Sequence, residues 1–255
     1  MTKLDAVEIE TYENTSIEAI EERSFENEES AFSPKPVYDF FKRCFDLFSS
    51  LIVSLILLIP VAVISVAVII KDFGNPFYFH KRLGKNFKEI RVLKFRSMIK
   101  GADDIEDSLS PKQLREYLKE YKLKDDPRLI GYKKPGDGET CFGAKIRQLS
   151  IDEIPQIIYN ILIKGNMSVV GPRPILRTEL DENYTPEEQK LLLSVKPGLT
   201  GYWQAYARNR VGYENGERQK MELFYVQNRS FALDMKIIFK TVFVLLFDKE
   251  RGAGQ

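Results

Sequence analysis

The sequence has few cysteines, one histidine and no glycine-rich phosphate loop. Two cysteines, Cys44 and Cys141, cannot form a disulfide framework, so a reducing compartment is expected. A single histidine, His80, excludes a histidine-rich metal site and leaves one candidate base for a serine–histidine triad. Its position between Phe79 and Lys81 on a predicted hairpin indicates a surface or interface residue. The sequence contains neither a Walker loop nor GxGxxG, so nucleotide sites built on those loops are excluded.

The net charge of +1 conceals a strong asymmetry along the chain. Residues 1–35 carry ten acidic side chains against Lys3, Arg23 and Lys35, a balance of −7, so the remaining 220 residues carry +8. A basic body suggests an anionic partner, which could be a nucleotide, a phospholipid headgroup or a nucleic acid. Residues 1–36 are predicted to be a disordered acidic leader, and they lack the basic start and apolar centre of a signal peptide.

The most pronounced feature is an uncharged run of 24 residues from Leu47 to Ile70. As a helix it would be about 36 Å long, enough to cross a hydrocarbon core of about 30 Å, so membrane embedding is predicted. Pro60 lies near its middle and removes a backbone hydrogen bond. Basic residues flank both ends, so the positive-inside tendency gives no orientation. A kinked spanning helix and a proline-broken helix that returns to the same face both stay open. The chain after Lys71 is expected in the cytoplasm.

The rest of the chain predicts a mainly α-helical domain with a small β-hairpin, an α+β fold. Residues 77–95 alternate apolar and polar side chains around Gly84-Lys85-Asn86, which is typical of a hairpin. A Gly- and Pro-rich loop is predicted at 131–143, and the aromatic stretch 197–209 indicates a packed loop with some capacity to stack a nucleobase. Helical patterns cover residues 111–122, 154–163, 186–195, 217–226 and 231–247, the last of them amphipathic near its start.

Adjacent carboxylates, Asp152 and Glu153, stand at the start of a predicted helix. Pro155 is favoured in a first turn, so the helix begins near the pair, and a helix N-terminus favours phosphate. Adjacent helical side chains point about 100° apart, so the pair is not expected to share a proton. One carboxylate attacking and the other holding a metal ion fits better. From these residues alone a structural role is favoured, because Ser150 and Glu153 match a capping box.

Several cations surround this pair in the sequence. Lys94 and Arg96 follow the hairpin, and Arg147 precedes Asp152 by five residues. Arginine binds phosphate oxygens through a bidentate fork, although each of these residues could equally be a solvated surface charge. Pro172-Arg173-Pro174 is harder to explain as surface, because two prolines hold one cation in a restricted backbone.

Several long motifs occur in one order along residues 38–253. They are the Pro60-containing apolar helix, LKFRSM, DPR at 126–128, RQLSIDEIPQ, KGNMSVVGPRP, VKPGLTGYWQ and YVQNRSFALDMKIIFKT. This assembly resembles the bacterial polyprenyl-phosphate phosphoglycosyl transferases of the monotopic type, in their short form. These sugar transferases start exopolysaccharide, capsule and glycan assembly. Two positions differ from many members: Ile59 replaces a serine, and Gln148 replaces a second basic residue.

The resemblance implies that a sugar-1-phosphate moves from a UDP-sugar to undecaprenyl phosphate, which yields a polyprenyl-diphosphate-sugar and UMP. It implies that Asp152 is the nucleophile and forms an aspartyl-phosphosugar, which the lipid phosphate then displaces. Glu153 would hold Mg²⁺, the implied cofactor.

The same resemblance assigns roles to the cations and to the membrane segment. Lys94, Arg96 and Arg147 match cations near the phosphates, and Pro172-Arg173-Pro174 matches a motif associated with the uridine end of the donor. Pro60 matches the break of a re-entrant membrane helix, which favours re-entry here.

The predicted layout is an acidic leader (1–36), a re-entrant membrane helix (37–72) and a cytoplasmic catalytic domain (73–255) that ends in an amphipathic helix. The site is expected at the cytoplasmic face of the bacterial inner membrane. Expected partners are a UDP-sugar, polyprenyl phosphate and membrane lipids, with a homodimer as a candidate assembly. The alternative is a catalytically silent, membrane-anchored scaffold of a glycan assembly complex, which would not need Asp152 and Glu153. Nucleic acid is not an expected partner, because only the +8 charge favours it.

Overall fold

The structure is a computed structural model that describes residues 33–247 except 103, 121–122, 124, 137–139, 208–212 and 214–215. The chain divides into two units, Met1–Pro34 and Lys35–Gln255. The leader predicted at residues 1–36 falls almost entirely outside the described residues.

A helix of 36 residues, α1 (Pro36–Lys71), opens the second unit. Pro36 occupies its first turn, where a missing N–H costs nothing. Within the described residues, α1 is the one helix long and apolar enough to cross a membrane by length and composition. Helical backbone continues through Pro60. The break predicted at Pro60 is therefore not an interruption of the helix, and the proline removes one backbone hydrogen bond within it.

Both ends of α1 contact the globular part of the unit. Near its start, buried Asp46 accepts hydrogen bonds from the Ser168 hydroxyl at 2.7 Å and the Val169 N–H at 3.0 Å. Near its end, Val68 is fully buried against Ile130. Between these contacts the helix exposes large apolar side chains, each more than 60% exposed: Leu55, Ile56, Leu58, Ile59 and Val63.

The predicted hairpin is confirmed. Strands β1 (Phe77–Leu83) and β2 (Glu89–Phe95) pair antiparallel, from Phe77 opposite Phe95 to Leu83 opposite Glu89. A 3₁₀ turn, Lys85–Phe87, joins them.

A second, parallel sheet was not predicted. It pairs β3 (Ser168–Val170) with β4 (Gly198–Thr200). Gly171 directly follows β3, and Gly198 is the first residue of β4. These glycines allow the two backbones to approach closely, because a Cβ on Gly198 would lie 2.1 Å from the Gly171 nitrogen. The fold is therefore mainly helical with two small sheets rather than one.

Short helices make up most of the remainder. Those predicted at 111–122, 154–163, 186–195, 217–226 and 231–247 are confirmed with shifted ends, whereas α4 begins inside the predicted loop 131–143 and α7 lies in the stretch 197–209 interpreted as a loop. The elements are α2 (Ile105–Ser108), α3 (Pro111–Glu120), α4 (Phe142–Gln148), a 3₁₀ turn (Ile151–Glu153), a π-helical segment (Ile157–Ile163), α5 (Arg177–Asn183), α6 (Pro186–Leu192), α7 (Tyr202–Tyr206), α8 (Glu217–Asn228) and α9 (Phe231–Phe247).

The hairpin is held between two apolar clusters. Ile90 and Val92 of β2 pack with Ile161 of the π-helical segment and with Met167. At the far end of β1, Leu83 packs with residues of α5 and α6. Burying a side chain of this size stabilises the fold by about 1.5–3 kcal/mol. The hairpin therefore provides a rigid support for the side chains that it carries.

Candidate active site

One face of the hairpin carries three nitrogen-bearing side chains. Successive side chains of a strand point to opposite faces, so His80 and Arg82 of β1 share a face. The cross-strand register places Lys94 of β2 on that face, together with the buried Val92 that pairs with His80. This is the face turned towards the core, so the hairpin directs positive charge inwards.

The acidic pair meets this charge from a tight turn. Ser150, with a left-handed φ of 54°, turns the chain from α4 into the 3₁₀ turn. Its side chain does not cap that turn, so the predicted capping box is not formed. Lys94 Nζ lies 3.2 Å from Asp152 Oδ2 and 3.0 Å from Glu153 Oε1. The two carboxylates therefore converge on one ammonium group, although they are adjacent in the chain.

Asp152 is only 7% exposed, and the groups around it have opposite effects on its pKa. Burial raises the pKa of the Asp152 carboxyl, and the adjacent Glu153 charge acts in the same direction. Lys94 and Arg147 act to lower it, without reversing the upward direction. Since burial strips water from the carboxylate and the cations favour its charged form, the group is a poorly solvated carboxylate of the kind that serves as a nucleophile.

Arg173 enters the site from a constrained loop after β3. The Gly198 N–H donates to the Pro172 carbonyl oxygen at 2.9 Å, which ties Pro172-Arg173-Pro174 to β4. A Cβ on Gly171 would lie 2.5 Å from the Lys196 carbonyl oxygen, so this approach requires glycine. The Arg173 N–H also donates to the buried Glu222 carboxylate at 3.2 Å. These contacts fix the backbone of Arg173, and its guanidinium lies over the Trp203 ring, 5.9 Å from the ring centroid.

A buried carboxylate on α5 holds the arginines together. Glu179 accepts a hydrogen bond from the Tyr213 hydroxyl at 2.7 Å and pairs with Arg218 at 3.2 Å and Arg82 at 3.4 Å. Burial alone would raise the pKa of Glu179, but Arg173, Arg218 and Arg82 outweigh it and lower the pKa to about 2. Glu179 therefore stays ionised and fixes the positions of its cationic partners.

These groups surround an opening of about 310 Å³, a volume that includes space open to solvent. Glu153 lies at one side of it, next to Asp152 in the chain. Three cations and two amides contribute to its wall. The lining residues are Arg82, Val92, Lys94, Glu153, Gln156, Arg173, Pro174, Gly198, Leu199 and Gln204.

Asp152 and Pro172 are not lining residues themselves but adjoin Glu153 and Arg173 in the chain, whereas Arg96 and Pro60 lie apart from this opening. Arg96 forms an ion pair with Asp72 at 3.1 Å and donates to the Asp72 carbonyl oxygen, so it fastens the end of α1 to the end of β2. Pro60 lies within α1. Arg147 is close enough to influence Asp152 electrostatically, although it is not part of the lining.

Sequence reasoning missed three contributors. Arg82 lines the opening, and His80 lies on the same strand face rather than on the surface. The period-2 pattern of β1, applied to residues 78, 80 and 82 opposite Lys94, could have identified both. Gln204 lines the opening and has a buried Oε1 that accepts no hydrogen bond from the residues that the structure describes. The motif VKPGLTGYWQ contains it without indicating its orientation.

The acidic pair carries the carboxylate oxygens that a divalent cation such as Mg²⁺ prefers as ligands. In the described part of the chain, no group of three or more histidine, cysteine or acidic side chains forms a complete cage. Mg²⁺ seldom needs one, because it commonly binds one or two carboxylates and takes its other ligands from substrate phosphates and water. Asp152 and Glu153, whose oxygens both approach one cationic group, fit that kind of site.

Comparison with known proteins gives consistent matches across the second unit. The family model described as "Bacterial sugar transferase" matches residues 37–248. A UDP-galactose-lipid carrier transferase of Erwinia amylovora is 38% identical over 217 residues, which cover 84% of this chain and 42% of that protein. The exopolysaccharide production protein ExoY of Rhizobium meliloti is 37% identical over 212 residues, covering 82% of this chain and 86% of ExoY.

A third relative carries a more explicit name. An undecaprenyl-phosphate galactose phosphotransferase of Salmonella typhimurium is 38% identical over 210 residues, which cover 81% of this chain and 40% of that protein. The chain thus spans less than half the length of the Erwinia and Salmonella relatives but most of the length of ExoY. The family match covers the hairpin, the acidic pair and the Pro172-Arg173-Pro174 loop, and the chain belongs to the bacterial sugar transferase family.

Proposed function

We propose that this chain is a phosphoglycosyl transferase that moves a sugar-1-phosphate from a UDP-sugar to a polyprenyl phosphate. The products are UMP and a polyprenyl-diphosphate-sugar, the first lipid-linked intermediate of an exopolysaccharide, capsule or other glycan. The names of the relatives include galactose and N-acetylgalactosamine phosphotransferases, which makes the corresponding UDP-sugars the first donors to examine.

One observation carries this proposal above the others. Asp152 is buried beside an opening walled by Arg82, Lys94 and Arg173, and its Oδ2 lies 3.2 Å from the Lys94 ammonium. Cations arranged around one poorly solvated carboxylate suit a reaction in which that carboxylate attacks a phosphate. A scaffold would gain nothing from keeping such a charged group buried.

The reaction would take place in two displacements at one phosphorus atom. An Asp152 carboxylate oxygen attacks the sugar-bearing phosphorus, and the bond from that phosphorus to the UMP oxygen breaks. The resulting aspartyl-phosphosugar is then attacked by an oxygen of the polyprenyl phosphate, which restores the Asp152 carboxylate. Lys94 and Arg173 offset the charge that develops on the phosphate oxygens.

Glu153, with Asp152 beside it, would hold Mg²⁺ in this reaction. The bound ion supplies neutralisation of the diphosphate charge and polarisation of the reacting phosphorus. Lys94 would keep the Asp152 and Glu153 side chains turned towards the same point, since it contacts both.

Contacts at both ends of α1 support a re-entrant membrane segment. A straight helix of 36 residues would be about 54 Å long, and opposite ends of a spanning helix lie on opposite sides of the bilayer. Here Asp46 and Val68 both contact the globular part of one unit, whereas the side chains of residues 55–59 are largely exposed. These contacts support an apolar middle of α1 that lies in the bilayer, and we propose that the site lies at the cytoplasmic face of the inner membrane.

The test is UMP release from a panel of UDP-sugars by the purified protein in the presence of Mg²⁺ and polyprenyl phosphate. We expect UMP release with at least one UDP-sugar. Continuous UMP release should require the polyprenyl phosphate, and Asp152→Asn should release no UMP. Glu187→Gln, an exposed carboxylate in the first turn of α6, is the matched control and should retain wild-type turnover. Lipid product formation by Asp152→Asn at the wild-type rate would contradict the assigned nucleophile.

A further inference from the structure

The only histidine of the chain lies among the cations of the site and has no role in the two displacements proposed above for Asp152. His80 occupies the core-directed face of β1, with Arg82 two residues further along the strand and Lys94 on the neighbouring strand. Its ring stands 5.8 Å from the ring of Tyr78, centroid to centroid. An imidazole in this position is either a packed side chain or a ligand.

A contact with Arg82 fixes the tautomer of the imidazole. Arg82 Nη2 lies 3.4 Å from His80 Nδ1. A guanidinium has only donors, so Nδ1 must be the acceptor and carries no proton. In a neutral imidazole the proton then resides on Nε2. His80 makes one hydrogen bond with the described residues, through Nδ1, so Nε2–H is available as a donor.

The charged groups around His80 keep it neutral. Burial lowers the pKa of His80, and Arg82, Lys94, Arg173 and Arg147 lower it further, to about 3. These cations come from both strands of the hairpin, the Pro172-Arg173-Pro174 loop and α4.

The acidic groups nearby are already engaged with these cations. Glu179 pairs with Arg82, and Asp152 and Glu153 contact Lys94. His80 is therefore a neutral donor inside a cationic cluster.

A tetrahedral phosphate is the ligand class that such a cluster suits, because its oxygens accept several hydrogen bonds and its charge matches the cations. Building on the proposed function, we propose that His80 is a phosphate ligand of this site, donating from Nε2–H to an oxygen of a bound phosphate group alongside Arg82 and Lys94. The phosphate belongs either to the diphosphate of the UDP-sugar or to the polyprenyl phosphate. Both groups enter the site, because the diphosphate contains the reacting phosphorus and the polyprenyl phosphate must attack it.

The proposal has a spectroscopic consequence. A bound phosphate offsets the positive charge around the imidazole, so the pKa of His80 should rise when the ligand binds. The same charge would act on a histidine that is merely packed beside the site, so rescue of binding by His80→Gln distinguishes a ligand from a packed neighbour.

A chain with one histidine allows this to be measured directly. The full chain, prepared without a histidine tag and labelled with ¹³C,¹⁵N-histidine, gives one imidazole signal. We expect that signal to shift, and its titration to move upwards by about one pH unit or more, on addition of UDP, UDP-galactose or a polyprenyl phosphate. A response to the nucleotides alone assigns the donor diphosphate, and a response to the lipid alone assigns the acceptor phosphate. An unchanged signal at saturating concentrations of each compound overturns the proposal.

Kinetics on matched variants provide a second measurement. His80→Leu removes the donor and should raise the KM of the substrate concerned about tenfold, whereas His80→Gln keeps a neutral N–H and should restore most of that loss. Lys81→Ala removes the neighbouring cation, which lies exposed on the opposite face of the strand, and should leave that KM unchanged. Equal KM values for His80→Leu and the wild type would overturn the proposal. If instead the wild type binds no UDP-sugar and releases no UMP, the proposed function itself fails, and the two failures are distinguishable.

Discussion

At the scale of single residues, the proposed reaction depends on one ammonium group shared by two carboxylates. Lys94 contacts both Asp152 and Glu153, and its charge opposes the rise in the Asp152 pKa caused by burial. Lys94→Met should therefore raise that pKa further and move the acidic limb of the kcat profile to higher pH, because a protonated carboxyl cannot attack phosphorus. Turnover at neutral pH should fall by about 10²-fold or more.

The pH profile of UMP release measures this shift. Lys88→Met, which removes an exposed lysine from the turn of the same hairpin, is the control and should leave the profile in place. An acidic limb at the wild-type pH in Lys94→Met would contradict the role assigned to Lys94.

The geometry of the acidic pair differs from the one expected from the sequence. Asp152 and Glu153 were expected to divide their roles because adjacent side chains diverge, and the structure shows both reaching Lys94. Arg96 was grouped with the phosphate cations through its motif, but it contacts Asp72 at the end of α1. Local sequence could not reveal that contact, because it depends on where a distant helix ends.

At the scale of elements, buried Asp46 joins α1 to β3, the strand that leads into the Pro172-Arg173-Pro174 loop. Its two hydrogen bonds reach the Ser168 hydroxyl and the Val169 N–H. Asp46→Ala would leave both donors without their acceptor, at a cost of about 2–4 kcal/mol. The melting temperature in detergent should fall by about 5–10 °C. Ser49→Ala is the control and should have a small effect on the melting temperature, because Ser49 donates only to carbonyl oxygens of the same helix. Equal melting temperatures for Asp46→Ala and the wild type would contradict the role of Asp46 in joining α1 to β3.

The membrane path of α1 is also testable at this scale. In a background lacking Cys44 and Cys141, Val37→Cys and Phe73→Cys should both react with a charged maleimide only from the cytoplasmic side, because both positions are exposed at the two ends of the segment proposed to be re-entrant. Ile59→Cys, which is 74% exposed and lies in the apolar middle, should resist the reagent in membranes and react in detergent. Labelling of Val37→Cys from outside would establish a spanning helix.

Periodic elements were predictable and the short sheet was not. The hairpin and α9 have repeating apolar patterns, which local sequence displays directly. β3 and β4 have three residues each, too few for a period, and they pair across 27 intervening residues. The glycines that allow their contact, Gly171 and Gly198, are recognisable only once the strands are brought together.

At the scale of the whole molecule, buried charge should make stability depend on pH. Burial raises the pKa of Glu222 to about 7, although Arg218 and Arg173 oppose it. Because its unfolded pKa is about 4.3, the native state holds this proton more tightly. The stabilisation is fully present below the unfolded pKa and is lost as pH rises through 7, by up to about 1.4 kcal/mol per pH unit.

Glu222→Gln removes that dependence while keeping an acceptor for the Arg173 N–H. Urea unfolding should show the variant gaining stability relative to the wild type as pH rises from 5 to 8. Glu217→Gln, an exposed neighbour on α8, should follow the wild type throughout. Parallel pH curves for Glu222→Gln and the wild type would show that Glu222 is ionised across this range.

Part of the basic charge of residues 36–255 is gathered at one place in the folded molecule. Sequence composition allowed a nucleotide, a lipid headgroup or a nucleic acid, whereas the structure gathers Arg82, Lys94 and Arg173 around one opening. Charge that converges inwards on a small space suits a small phosphate ligand better than a long polymer.

The most direct test of the central claim is the intact mass of the protein after incubation with its UDP-sugar and Mg²⁺ in the absence of lipid acceptor. We predict that the wild type gains the mass of one sugar phosphate, that added polyprenyl phosphate removes it, and that folded Asp152→Asn gains nothing. A wild-type protein that forms lipid product and yet never carries the adduct would contradict covalent catalysis by Asp152.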